Sequence, residues 1–131
     1  MPHLRLEYSP GLADRIDIAA LCRTAHAAMI ETGIFPLAGI RIRAFRADFC
    51  IVADDHQDND FAAFTLTVGA GRTREALADA GQHLFAALQA ALAEPLASPH
   101  FALSLQIQVS DPTLSWKDTP IHHRIGKRIE T

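Results

Sequence analysis

Apolar and polar residues follow one order that occurs twice along the chain. In the first half, alternation over residues 4–8 predicts a strand that stops at Pro10. Apolar residues then recur at helical spacing over residues 13–32, and Gly33 stands where a helix-terminating glycine belongs. After a turn-rich link, a second strand is predicted from about Ile40. The predicted apolar helix face comprises Ile18, Leu21, Cys22, Ala25 and Met29.

The second half repeats this order. Alternation over residues 63–68 predicts a strand that stops at the glycines of residues 69–71. A helix is predicted over residues 73–94, with Thr73 as N-cap and Pro95 as a stop signal. Strict alternation over residues 101–109 predicts the last strand. The apolar face of the second helix comprises Leu77, Leu84, Phe85, Leu88 and Leu92.

Strand–helix–strand, twice, predicts an α+β fold. A crossover helix between two strands usually makes a right-handed unit with parallel strands. We therefore expect two β-α-β units that share one four-stranded sheet, with both helices on one face. The chain is expected to form a single domain over residues 1–131, with an internal pseudo-repeat of about 2–58 and 59–122. The other sheet face would remain partly apolar, and a trimer would cover it; the mean hydropathy of +0.08 agrees with a buried interface.

Two segments carry less regular patterns. In the second strand the apolar residues change from even-numbered to odd-numbered positions near Ala44 and Phe45, which predicts a β-bulge. The polar tail, residues 113–131, is expected to add a short edge strand or to wrap a neighbouring subunit.

Composition excludes several classes of function. The net charge of −3 and the isoelectric point near 6.1 argue against a nucleic-acid partner. No signal sequence opens the chain and no apolar run is long enough for a membrane span. The two cysteines, Cys22 and Cys50, are expected to be buried, reduced thiols, which favours a cytoplasmic location.

Pro2 is the first candidate for chemistry. If Met1 is removed, the chain begins with a secondary amine at the head of a strand. A free α-amino group has a pKa of roughly 7.7–8.0, and burial lowers that value. Pro2 shares the strand parity of Leu4 and Leu6, so its nitrogen is expected to face the apolar side and to act as an uncharged base.

Three arginines are candidates for binding an anion. Arg41 and Arg43 share one face of the second strand, where they either form a solvated edge or grip a carboxylate through paired hydrogen bonds. Arg72 follows Gly-Ala-Gly directly before the second helix. The helix dipole disfavours a cation at that position, so a contribution to stability does not explain the arginine, and a role in binding an anion is indicated. The alternative for Arg72 is a plain strand-to-helix turn.

Other clusters give weaker signals. Residues 53–60 gather four acids and one histidine, and we interpret them as a solvated hairpin loop rather than a site for a hard cation. His122 and His123 show no zinc spacing, and no G-x-S-x-G element is present.

Several motifs together resemble a known family. They are Pro2-His3-Leu4, residues 32–41 (TGIFPLAGIR), residues 69–72 (GAGR), Leu103-Ser104 and residues 113–117 (TLSWK). These segments resemble the 5-carboxymethyl-2-hydroxymuconate isomerases of the tautomerase superfamily. The likeness spans nearly the whole chain, and the block of residues 32–41 is its most specific part.

The resemblance implies a homotrimeric, cofactor-independent isomerase of homoprotocatechuate and 4-hydroxyphenylacetate breakdown, with a small polycarboxylate substrate. It implies Pro2, Arg41 and Arg72 as catalytic residues, with Arg41 and Arg72 also binding the substrate. The strand pattern adds Arg43 as a further substrate-binding residue. The role of each arginine stays open. Two alternatives also stay open: a tautomerase for a smaller 2-oxo acid, and a non-catalytic trimeric binding protein that keeps the fold.

Overall fold

In a computed structural model, the backbone is described for residues 1–130 and the side chains for residues 1–125. The four strands are β1 (His3–Tyr8), β2 (Arg41–Arg46), β3 (Asp60–Val68) and β4 (Phe101–Val109). The helices are α1 (Ile18–Glu31), α2 (Arg74–Ala91), α3 (Ala93–Leu96) and α4 (Pro120–Glu130). Short 3-10 turns cover Pro10–Asp14, Leu37–Gly39 and Pro112–Leu114.

The strands form one mixed sheet in the order β2-β1-β3-β4. β1 pairs with β2 and β3 pairs with β4 in parallel, while β1 and β3 are antiparallel. Each parallel pair is joined through a long helix, so the sheet combines a β1-α1-β2 unit with a β3-α2-β4 unit. The predicted α+β fold class is confirmed.

The core lies between one face of the sheet and the two long helices. The buried residues of β1 and β3 are those of even number, as the alternation predicts. α1 and α2 contact each other and contribute their apolar faces to the same cluster, so both helices lie on one side of the sheet. The central members of this cluster are Leu4, Leu6, Ala25, Met29, Phe64, Leu66, Leu84 and Leu88.

The opposite sheet face carries mostly polar and charged side chains. Phe45 is a half-exposed apolar side chain on this face, and the most exposed apolar side chains lie in two segments that flank the sheet. One follows β2 and the other follows β4. Their members are Phe49, Ile51, Leu114 and Trp116, with 81%, 66%, 70% and 84% of their surface exposed.

Helix boundaries depend on local capping. α1 begins at Ile18, later than the predicted residue 13, because Asp17 accepts a hydrogen bond from the Ala20 amide at 3.1 Å. Thr73 caps α2 as predicted and accepts a hydrogen bond from the Ala76 amide at 3.0 Å. Gly33 has φ of +73°, the left-handed conformation expected of a helix-terminating glycine.

Three structural expectations are wrong. β2 pairs with β1 residue for residue and ends at Arg46, so the parity change marks the end of the strand and not a bulge. Residues 53–60 do not form a hairpin loop, because β1 lies between β2 and β3. Of the two alternatives for the tail, the edge strand is wrong, because Pro120–Glu130 form the helix α4, which lies against the Leu37–Gly39 turn.

A buried polar cluster holds the carboxyl end of β1. The Ser9 hydroxyl donates to Asp60 Oδ1 at 2.7 Å and accepts from the Phe61 amide at 2.9 Å. Arg15 donates to Asp60 Oδ2 at 3.4 Å. In the described part of the chain, none of the helices combines the length and apolar character of a membrane span.

Candidate active site

The amino end of β1 lies between the start of β2 and the end of β3. Pro2 is completely buried there, and its carbonyl oxygen accepts a hydrogen bond from the Arg41 amide at 3.0 Å. Gly39 leaves room for the proline ring, since a Cβ at that position would lie 3.1 Å from Pro2 Cδ. The position of Pro2 is therefore fixed by backbone pairing and by close packing.

Arg41 is held by the turn that precedes its strand. Its Nη1 donates to the carbonyl oxygen of Ala38 at 2.7 Å. Ala38 belongs to the Leu37–Gly39 turn, within the most specific block of the resemblance. One edge of the guanidinium is thus tied down, and the remaining N–H groups are left for a ligand.

Arg72 is held by the same block from the other half of the chain. Its Nε donates to the carbonyl oxygen of Ile34 at 3.0 Å, and its guanidinium carbon lies 5.0 Å from the centroid of the Phe35 ring. This cation–π contact fixes the plane of the guanidinium. Residues 32–41 therefore orient both arginines.

Arg43 occupies a different position. It is exposed on β2, and its Nη1 lies 3.4 Å from Nδ1 of His3 on β1. Burial, followed by the charges of Arg43 and Arg41, lowers the pKa of His3. The structure thus places Arg43 beside His3 and next to the Pro2 region.

Lys117, which the sequence analysis quotes without a role, lies at the same end of β1 as Pro2. It lines a cavity of about 580 Å³ together with Met1, His3, Gly69 and Trp116. The positive charge of Lys117 lowers the pKa of the Met1 amine. The signal that could have found it is its place in the TLSWK motif of the resemblance.

Positive charge surrounds the start of the chain. The pKa of the Met1 amine is lowered from 8.0 to about 6 by burial, then by Lys117, Arg72 and Arg41. Neither arginine lines the cavity, but Met1 does. The charges of both arginines lower the pKa of the Met1 amine. Three cations around one point disfavour a fourth and favour an anion.

Met1 precedes Pro2 in this structure, so the Pro2 nitrogen belongs to a peptide bond. Met1 also lines the cavity. Its removal would enlarge the cavity towards Pro2 and would free the proline nitrogen as an amine.

A second cavity, of about 530 Å³, lies at the other end of β1. It contains His56, Asp58 and His100, whose potential ligand atoms lie within 4.8 Å of one another. The two imidazole rings stack with centroids 4.2 Å apart and planes inclined by 23°. Nearly parallel planes do not direct both in-plane lone pairs to one ion, so this arrangement is a histidine stack rather than a metal centre.

Comparison with solved structures defines the class. The chain superposes on a crystal structure of 5-carboxymethyl-2-hydroxymuconate delta-isomerase with a TM-score of 0.87 and 30% identity, over 95% of this chain and 92% of that one. For a 5-carboxymethyl-2-hydroxymuconate isomerase from Deinococcus radiodurans R1 the TM-score is 0.86 and the identity 34%, over 94% and 92%. A more distant structure, a "fused 4-OT wild type symmetric trimer", shares the fold alone, with 22% identity and a TM-score of 0.55 over 80% of this chain and 84% of that one. The fold is that of the tautomerase superfamily, and the protein is an enzyme of that class.

Sequence comparison gives the family. The model of the 5-carboxymethyl-2-hydroxymuconate isomerase family matches residues 2–125. The Escherichia coli 5-carboxymethyl-2-hydroxymuconate Delta-isomerase is 36% identical over 122 residues, which cover 93% of this chain and 97% of the relative. The chain belongs to the 5-carboxymethyl-2-hydroxymuconate isomerase family and is an isomerase.

Proposed function

We propose that the protein isomerises 5-carboxymethyl-2-hydroxymuconate, with the amine of Pro2 as the acid–base group after removal of Met1. The observation that carries this proposal is the set of cations around the start of the chain. Burial, Lys117, Arg72 and Arg41 together lower the pKa of the terminal amine there to about 6. The same surroundings would keep a proline amine uncharged near neutral pH, as a base requires.

In the proposed reaction, the Pro2 nitrogen takes the proton of the 2-hydroxyl group. The oxygen becomes a carbonyl, the conjugated double bonds shift, and the protonated amine returns a proton to carbon. Atoms and electrons balance within the substrate, so the step requires no oxidant, reductant or cofactor.

Arg41 and Arg72 would bind the substrate anion. Both guanidinium groups are tethered on one side by carbonyl oxygens, of Ala38 and Ile34 respectively, which orients their free N–H groups. We propose that one holds a carboxylate and the other stabilises the negative charge that develops on the 2-oxygen. Arg43 reaches His3 at the margin of this region and would contribute to the attractive field for a polyanion.

The same arrangement supports a polycarboxylate over a smaller 2-oxo acid. A mono-anion would leave most of the cationic groups without a partner. Binding without turnover, the other alternative, is set aside because the chain belongs to a family of isomerases. A retained Met1 would leave the Pro2 nitrogen as an amide, which cannot act as a base.

A homotrimer is part of the proposal. The exposed apolar side chains of Phe49, Ile51, Leu114 and Trp116 give each subunit surface to bury against a neighbour. A cytoplasmic location also stays a prediction, supported by the two free cysteines.

The test has two parts. Intact mass of the protein from its own host should lack one methionine. Turnover of the dienol, followed by ultraviolet absorbance, should be reduced but measurable in Pro2→Ala, which retains a primary amine, and kcat/KM should rise with pH through an amine pKa below 8.0. Full activity in the double variant Pro2→Ala/Arg72→Ala would overturn the mechanism.

A further inference from the structure

We propose that Lys117 binds the carboxylate of the carboxymethyl arm and makes the site selective for a tricarboxylate over a dicarboxylate. This inference rests on the proposed function, because it assigns a partner to one part of that substrate. It identifies the cavity beside Met1 as the subsite for the arm.

The count of charges motivates the assignment. A muconate is a diacid, and the carboxymethyl arm adds a third carboxylate to it. The proposal above employs Arg41 and Arg72 for one carboxylate and for the 2-oxygen, so at least one distant carboxylate still needs a cation. Lys117 supplies a third charge on the same amino end of β1.

The surroundings of Lys117 fit this role. In the part of the chain whose side chains are described, it forms no ion pair with a carboxylate. It lines the cavity that also contains Ser110 and Ser115, whose hydroxyl groups are further donors for a carboxylate. Met1 lines the same cavity, so removal of Met1 would vacate space there beside Pro2.

Lys117 is held there by the fold of the tail. The Ser110 amide donates to the Val68 carbonyl at 2.8 Å, which ties the end of β4 to the end of β3. Asp111 then accepts from the amide and the hydroxyl of Thr113, at 2.9 and 2.7 Å, and turns the chain back towards β1. Beyond Lys117, α4 lies against the Leu37–Gly39 turn, so the segment is anchored on both sides.

A lysine side chain is better suited to bind the carboxylate of the flexible carboxymethyl arm than to orient the reacting part of the substrate. The carboxymethyl group rotates about its methylene, so its carboxylate is not fixed in one plane. A flexible point charge can follow it, whereas the tethered guanidinium groups of Arg41 and Arg72 favour one orientation. Arg43 is a weaker candidate because it is not among the residues that line the cavity.

The experiment compares two substrates in matched variants. 5-Carboxymethyl-2-hydroxymuconate carries the arm, and 2-hydroxymuconate is the same dienol without it. Lys117→Gln should raise KM for the tricarboxylate by about ten- to a hundred-fold, as expected for the loss of a charge-assisted bond, and change KM for the dicarboxylate by less than about threefold. Lys117→Arg should restore most of the selectivity, because it keeps the charge.

Arg23→Gln is the control, since it removes one positive charge from the exposed side of α1.

A second readout avoids turnover: inhibition constants of propane-1,2,3-tricarboxylate and pentanedioate should differ in the wild type and converge in Lys117→Gln. Equal effects on both substrates, or no effect on either, would overturn the assignment. If the wild type turns over neither dienol, the proposed function fails; if it turns over the tricarboxylate while Lys117→Gln stays selective, only this inference fails.

Discussion

The amide of Arg41 donates a hydrogen bond to the carbonyl oxygen of Pro2 at 3.0 Å. This bond starts the parallel ladder between β1 and β2, so the proposed base and one proposed anion-binding residue are neighbours in the sheet. The side chain of Arg41 is held separately, by the carbonyl of Ala38. The geometry of the site is therefore set by the backbone before any substrate arrives.

Gly39→Ala tests the packing behind Pro2. The added Cβ would lie 3.1 Å from Pro2 Cδ, so the proline must move by a few tenths of an ångström. We expect kcat to fall by roughly tenfold, because displacements of this kind misalign a base that must be positioned accurately. Steady-state kinetics with circular dichroism would check that activity falls while the fold remains.

Gly81→Ala is the matched control for that variant. Its Cβ would also meet an atom at 3.1 Å, but that atom is the flexible end of Ile107, away from the site. Alanine is favoured over glycine within a helix by about 1 kcal/mol, so stability should not fall. A loss of turnover in Gly81→Ala as large as in Gly39→Ala would refute the argument from packing.

Arg72→Lys tests the oriented guanidinium. Lysine keeps the charge but loses the Nε bond to Ile34 and the planar contact with Phe35. We expect kcat/KM to fall at least tenfold, in line with about 1.5–3 kcal/mol for a charge-assisted bond. Arg74→Lys, two residues away on the exposed start of α2, should have no effect; equal activity of the two variants would show that charge alone suffices.

The sequence predicts the fold correctly for those strands and helices that bury only one of their faces. β3 and β4 alternate strictly because each has one face on the core. The predicted helical stripes include most of the residues that α1 and α2 bury, but not Ala28 and Ala80. The prediction failed after Arg46 because the apolar side chains of Phe49 and Ile51 are exposed there. When apolar side chains are not buried within the subunit, their spacing does not show which residues of a strand face the core.

Some residues of the proposed site stand out in the sequence, and others do not. Arg72 stood out because a cation at a helix start is unfavourable without a ligand, and Pro2 because of its place at the head of a strand. Lys117 did not stand out, because the tail has no periodic pattern and its approach to β1 depends on long-range contacts. The position of His100 beside His56 is likewise a result of the tertiary fold, since the two histidines are 44 positions apart in the sequence.

Ser9→Ala tests the polar cluster at the far end of β1. The substitution leaves Asp60 Oδ1 and the Phe61 amide without their hydroxyl partner. A loss of about 1–3 kcal/mol in the free energy of unfolding is expected, since buried polar groups are costly to leave unpaired. Denaturant titration would measure it, and kcat/KM of the folded fraction should stay unchanged.

Ser104→Ala is the control for that loss. Ser104 is exposed on β4, and its replacement should change stability by less than about 0.5 kcal/mol. If Ser9→Ala were as stable as Ser104→Ala, the cluster would not contribute to holding β1 in place.

The electrostatics of the chain start can be measured in protein that retains Met1, made in cells with methionine aminopeptidase inhibited. With ¹⁵N-methionine, the amine should titrate near pH 6 rather than at 8.0. Because the folded state binds the proton more weakly than the unfolded state, the amine destabilises the fold fully below pH 6, progressively less between pH 6 and 8, and not at all above pH 8. Lys117→Gln should move the midpoint part of the way back towards 8.0, since burial remains as the larger cause. A midpoint at or above 8.0 in the unsubstituted protein would mean that the amine is exposed and that the three cations do not act on it.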